Sequence, residues 1–86
     1  MELQQQFELA VANSKTLYQK PSNEVLLQLY SLYKQSTEGD ATDDKAPANA
    51  FDFVGKAKFN AWSELKGKSR EDAMKGYVDL VEKLKS

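Results

Sequence analysis

The chain has 86 residues, 12 Lys and Arg against 13 Asp and Glu, a net charge of −1, and neither cysteine nor histidine. That length fits one small domain near the lower limit at which an apolar core suffices, and the missing Cys excludes disulfides and thiolate metal sites, so packing alone must fold it. Balanced charge without a long basic run argues against nucleic acid as a general partner, and the lack of His and Cys removes the commonest general base, nucleophile activator and transition-metal ligands.

No apolar run approaches a membrane span, and residues 1–6 lack the basic and apolar regions of a leader. The expectation is a cytoplasmic protein without stable membrane insertion. Leu3, Phe7, Ala10, Val11, Ser14, Leu17 and Tyr18 follow helical spacing and predict a first helix that Lys20-Pro21 ends or follows. Pro21-Ser22-Asn23-Glu24 then supplies a proline and capping side chains before an apolar-rich run through Gln35 that stops near Gly39. On this second helix Val25, Leu29 and Leu32 suffice for one bundle face. Leu26, Leu27, Tyr30, Tyr33 and Lys34 form an adjoining arc, wider than one core stripe needs.

Residues 38–52 are rich in Gly, Asp, Thr, Ala, Pro and Asn without periodicity, a long connection that either spans the bundle or serves a site. Its acidic stretch from Asp40 to Asp44 lacks EF-hand ligand spacing and reads as solvated loop. A third helix is predicted from Phe53 to Leu65, with Lys66-Gly67 as its C-terminal signal. With Val54 at zero and about 100° per residue, Ala57, Ala61, Trp62 and Leu65 lie between about −60° and +80°, and Lys58 sits among them near 40°. A charge at the centre of an apolar face must snorkel to water, pair with a carboxylate, or await an anion brought by a ligand. Ser69-Arg70-Glu71-Asp72 opens a fourth helix whose stripe is Ala73, Tyr77, Leu80, Val81 and Leu84. No strand alternation or repeat interrupts this pattern, so an all-α four-helix bundle over residues 1–86 is the economical fold.

Tyr30, Tyr33 and Lys34 place two phenols and an ammonium within one turn. Such a set can offer a ring face to a base, a hydroxyl to a phosphate and a charge to neutralise it, with Lys58 completing the clamp and Tyr77 adding a phenol from the fourth helix. The bland readings stand beside this one: tyrosines as half-buried packing, Lys34 as a solvated charge, Lys58 as snorkelling or paired, Phe59 and Trp62 as core or pocket wall, and Met74 as gap-filler. No phosphate loop, zinc spacing or nucleophile motif is present.

The blocks Tyr30-Ser31-Leu32-Tyr33-Lys34-Gln35-Ser36-Thr37-Glu38-Gly39-Asp40, Gly55-Lys56-Ala57-Lys58-Phe59-Asn60-Ala61-Trp62, Leu65-Lys66-Gly67 and Ala73-Met74-Lys75-Gly76-Tyr77 closely resemble the acyl-CoA-binding protein family over nearly the whole chain. The resemblance implies a four-helix up-down-down-up bundle that binds medium- and long-chain acyl-CoA without converting it, acyl-CoA being its ligand and no cofactor being required. By position it implies that Tyr30, Lys34 and Lys58 hold the nucleotide 3′-phosphate, Tyr33 stacks on adenine, Tyr77 closes the head-group site and Lys15 contacts CoA. Phe7, Leu26 and Leu27 match positions nearer the acyl chain, with Phe59 at the pocket edge. Two departures stand out. Where the family commonly has Arg-Pro-Gly this chain reads Lys45-Ala46-Pro47-Ala48 in a longer loop, and Phe59 replaces a frequent Trp.

The leading expectation is thus a cytoplasmic acyl-CoA carrier and pool former, not an enzyme, with transient contacts to acyl-CoA-using enzymes. Its rivals are a helical protein-interaction module that does not bind acyl-CoA and a thioester hydrolase using a carboxylate base.

Overall fold

Three short polar side chains start three of the helices. The computed structural model describes residues 2–17 and 19–85. The helices are α1 (Leu3–Ser14), α2 (Asn23–Glu38), α3 (Phe53–Ser63) and α4 (Arg70–Lys85), with a 3₁₀ turn at Asp43–Lys45 inside the long connection. The Ser22 hydroxyl accepts the Val25 N–H at 3.3 Å, the Asp52 carboxylate accepts that of Gly55 at 2.9 Å, and the Ser69 hydroxyl accepts that of Asp72 at 3.0 Å. Each satisfies an N–H that the first helical turn leaves without a partner. In α4, Glu71 and Asp72 near the start and Lys83 and Lys85 near the end complement the helix dipole. Gly39 ends α2 at φ +82°, a conformation that costs a side-chain-bearing residue steric strain.

The first helix is shorter than its periodicity predicts. After Ser14 the chain turns tightly: the Thr16 N–H and hydroxyl both bond Asn13 O, and the Ser14 hydroxyl donates to Val11 O. Local hydroxyl and i→i+3 bonds thus replace the next helical turn, leaving Leu17 beyond the helix. Tyr18 lies outside the described residues.

The apolar core joins α1, α2 and α4. Phe7 and Ala10, Leu29, and Tyr77 and Val81 form one buried cluster, with Val11, Val25, Leu32, Met74, Leu80 and Leu84 packed around it. Val81 is completely buried; covering a side chain of that size contributes about 1.5–3 kcal/mol. α4 packs on both α1 and α2, whereas the main packing partner of α3 is α2. Consequently α3 buries only part of the stripe read from its sequence, with Ala57, Ala61 and Leu65 half-buried. Trp62 is 3% exposed, but Val54 is 67% exposed and Lys58 is also exposed.

What holds α3 is largely polar. Gln35, fully buried, donates from its amide nitrogen to Asp40 Oδ1 at 2.7 Å and to the Lys68 carbonyl at 2.8 Å. Asp40 Oδ1 also accepts the Gly67 N–H at 2.9 Å, and the Trp62 indole N–H donates to the Gly39 carbonyl at 2.8 Å. The end of α2, the end of α3 and the α3–α4 turn are thereby clasped together. The Gly67 N–H, then the Gln35 amide, hold the Asp40 carboxyl below the ordinary carboxylate range.

A depressed carboxyl pKa stabilises the fold above the unfolded-state value, and this contribution is lost as pH falls through the lower folded-state value. Asp40→Ala is therefore expected to lower the thermal midpoint at neutral pH, with the gap to the wild type narrowing below about pH 4. Melting curves from about pH 7 to pH 2 check this. A pH-independent gap would remove the carboxylate charge from the account.

Candidate ligand-binding site

One turn of α2 separates Tyr30 from Lys34, so both face the flank against which α3 leans. From α3, Lys58 reaches back until its Nζ lies 5.3 Å from the centre of the Tyr30 ring. Lys34 Nζ is 5.9 Å from the same ring and 5.4 Å from that of Trp62. Two ammonium groups therefore converge on one phenol, each favoured by the negative face of an aromatic ring. Among the described residues no carboxylate pairs with Lys58, so of the three sequence readings ion pairing is absent, and the ammonium stands exposed above Tyr30.

These groups border a cleft of about 290 Å³ that Glu38, Lys45 and Phe59 also line. Lys34 Nζ donates to Glu38 Oε2 at 2.5 Å, while Lys45 Nζ lies 3.8 Å from Glu38 Oε1. The hydrogen bond to Glu38 raises the Lys34 pKa above that of an ordinary lysine, and the same bond lowers that of Glu38. Both stay charged at neutral pH. A cleft with three ammonium groups and an aromatic wall is suited to a phosphate-like anion.

A second hollow of about 330 Å³ opens on the neighbouring side of α2, lined in part by Lys15, Ser14, Leu26, Tyr30, Tyr33 and Tyr77. Lys15 stands here because α1 ends just before it. Tyr33 is 40% exposed, with its ring stacked at 25° and 6.0 Å on that of Phe7. Tyr77 is buried in the core, and its hydroxyl donates to Ser14 Oγ at 3.0 Å. Burial raises its pKa, and the bond to Ser14 partly offsets this.

The third concavity is apolar. Leu26 and Leu27 from α2 face Phe53, Val54 and Ala57 from α3 across a groove of about 410 Å³, with Lys58 at its edge. Phe51 and Phe53 are 80% and 72% exposed, an unusual concentration of uncovered apolar surface for so small a protein. Tyr30 borders both the cleft and the hollow, Leu26 the hollow and the groove, and Lys58 the groove and the cleft. The three thus share their walls around α2.

Tyr30, Lys34 and Lys58 are brought together as the sequence pattern suggests, and Tyr33, Tyr77 and Lys15 gather around the adjoining hollow. Leu26 and Leu27 face the groove. The other two sequence-named pocket residues have settings of their own. Phe7 is a core residue packed edge-on against Tyr77 at 5.2 Å, and Phe59 lines the charged cleft, edge-on to Trp62 at 6.5 Å. Sequence reasoning missed Glu38 and Lys45 in the cleft and Ser14 behind Tyr77. It also gave no site role to Phe53 and Val54, which line the groove. The signal for the last was available: Phe51, Phe53 and Val54 crowd around the start of α3, which is more apolar surface than one helix face can bury.

Comparison with known proteins places this architecture. The family model described as acyl CoA binding protein matches residues 4–81. Acyl-CoA-binding protein homolog 1 of Caenorhabditis elegans is 54% identical over 78 residues, which are 91% of this chain and 88% of that protein. Enoyl-CoA delta isomerase 2 of Rattus norvegicus is 51% identical over 83 residues, 96% of this chain but only 21% of that protein. The crystal structure of Oryza sativa acyl-CoA-binding protein 2 superposes with a TM-score of 0.86 at 40% identity, covering 96% of this chain and 90% of that one.

The Tyr77 hydroxyl is engaged inward, so Tyr77→Phe is expected to cost about 0.5–1.5 kcal/mol of folding stability, the net contribution of one hydrogen bond. Urea unfolding of the two proteins measures it. An unchanged midpoint and slope would show that the bond to Ser14 contributes nothing to the folded state.

Proposed function

The chain belongs to the acyl-CoA-binding protein family, and on that premise we propose that it binds medium- and long-chain acyl-CoA esters without converting them, as a cytoplasmic carrier and pool former. The observation that carries the reading is Lys58, whose ammonium borders a charged cleft on one side and an apolar groove on the other. An amphiphile with a phosphorylated head and a hydrocarbon tail has the chemistry to fill both.

In this reading the nucleotide 3′-phosphate lies between Lys34 and Lys58 beside the Tyr30 hydroxyl, and Tyr33 offers its exposed ring to adenine. Lys15 and Tyr77 border the hollow that receives the rest of the head group. The acyl chain runs along Leu26, Leu27, Phe53, Val54 and Ala57. Each charge-assisted hydrogen bond to phosphate contributes about 1.5–3 kcal/mol, each base–aromatic stack about 1–3, and each fully desolvated CH₂ up to about 0.8. Three or four polar contacts with part of a chain then suffice for micromolar or tighter binding after the cost of association.

Turnover is not part of the proposal. The rat isomerase likeness spans about a fifth of that protein, and isomerisation is a property of the whole of it. Delivery to acyl-CoA-using enzymes would require transient contact with them, and the exposed groove leaves the ligand's tail side accessible for it.

Calorimetric titration with palmitoyl-CoA, CoA and palmitate tests the reading. Palmitoyl-CoA is expected to bind far more tightly than either fragment, and Lys58→Ala to lose roughly 1.5–3 kcal/mol, about ten- to a hundredfold in affinity. Failure of palmitoyl-CoA to bind would turn the search to protein partners.

The apolar groove makes a separate prediction. Leu27→Ser should weaken palmitoyl-CoA while leaving CoA itself nearly unchanged. Equal losses for both ligands would move the chain out of this groove.

A further inference from the structure

The charged cleft contains an anion of its own. Glu38 projects from the last turn of α2 between two ammonium groups, one from its own helix at 2.5 Å and one from the 3₁₀ turn of the long loop at 3.8 Å. The other acidic side chain lining the cleft, Asp52, is engaged elsewhere, capping α3 through the Gly55 N–H at 2.9 Å. A lysine and a glutamate four residues apart on a helix often form a solvated pair of little consequence. This pair differs in its setting, because both partners line a concavity that also holds Lys58, and a third ammonium, that of Lys45 in the loop that follows α2, reaches the same carboxylate.

Resting on the acyl-CoA reading above, we propose that Glu38 is a built-in counter-anion which the ligand's phosphate must displace, and that Lys45 is a third phosphate-binding cation carried by the loop. Glu38 occupies the Lys34 ammonium that a phosphate would need, and its negative charge opposes a phosphate entering the cleft. When the phosphate takes its place, Lys34 changes partner and Lys45 turns from the carboxylate to the phosphate. Both lysines thus exchange one anion for another, with little net loss of charge neutralisation. The device lowers affinity for the phosphorylated head and selects against weakly charged anions, which cannot compete with a carboxylate already in place. Because Glu38 keeps its charge well below neutral pH, ligand competition rather than protonation moves it.

Titrations of wild type, Glu38→Gln and Lys45→Ala with palmitoyl-CoA and with its 3′-dephospho analogue test this. Glu38→Gln is expected to tighten palmitoyl-CoA roughly three- to tenfold and Lys45→Ala to weaken it by a similar factor, both changes staying within about twofold for the dephospho analogue. Circular dichroism spectra matching the wild type would exclude misfolding as the cause of a loss. If Glu38→Gln weakens palmitoyl-CoA, or leaves it within about twofold, Glu38 positions Lys34 or stands idle, and the inference is overturned. An effect of equal size on both ligands overturns it as well. If the wild type binds no palmitoyl-CoA, the functional reading itself fails; binding by the wild type with an unresponsive Glu38 removes only the counter-anion.

Discussion

The buried amide of Gln35 fixes where α3 can stand. It donates twice, once to the Asp40 carboxylate at the start of the long loop and once to the Lys68 carbonyl in the turn before α4. Both partners are acceptors, so the orientation of the amide follows from them. Asp40 extends the link to the Gly67 N–H, and the Trp62 indole secures the end of α3 to the Gly39 carbonyl. α3 lacks the three-helix apolar core that supports α1, α2 and α4, so these bonds and the Trp62 ring set its angle against α2. That angle decides whether Lys58 reaches Tyr30. The geometry of the charged cleft therefore depends on a polar clasp at the end of the helix, in which the Gln35 amide nitrogen is matched twice while its buried Oε1 has no partner among the described residues.

The helix order was legible in the sequence because caps and periodicity agree. Ser22, Gly39 and Ser69 mark their boundaries by chemistry that acts locally, and the stripe of α4 is long enough to be unambiguous. The first helix misled because Leu17 keeps the apolar rhythm after the backbone has left the helix, a local hydroxyl turn overriding periodicity. The third misled for a different reason. Periodicity identifies apolar faces but does not say what they meet, so Val54 counted toward the apolar face of α3 while it stands exposed at a groove. The clasp was invisible to hydrophobic patterning altogether, because its centre, Gln35, is a polar residue in a buried position.

The site divides along the same line. Tyr30 and Lys34 share a helix turn, so their proximity is a matter of spacing. Lys58 announced itself as a charge on an apolar face, and a misfit of that kind is where a candidate site is to be sought. Glu38 and Lys45 break no local rule: one is an ordinary helix-end acid, the other an ordinary loop lysine. Only the fold of the long connection brings them together, so no local pattern could have revealed the contact. Phe7, named for the acyl chain, stacks on Tyr33. Its buried ring backs the hollow through that contact.

The open groove has an energetic consequence. A chain of 86 residues buries a small fraction of its surface compared with larger domains, yet this one leaves Phe51, Phe53, Val54 and Leu26 substantially uncovered. Natural sequences tolerate such exposure where a partner completes the surface. If that partner is the hydrocarbon tail of the proposed ligand, the tail takes the place of the missing neighbour of α3, and folding and binding become linked through the same residues. Ligand at a hundred times its dissociation constant would then stabilise the fold by about 2.7 kcal/mol, a large share of what so small a domain has. The helix that would gain most is α3, held by the polar clasp and the buried Trp62 ring rather than by the three-helix core. Stability and affinity would in that case be distributed to opposite ends of one helix: the clasp near Trp62 sets the position of α3, and the bound tail would complete the packing at Val54.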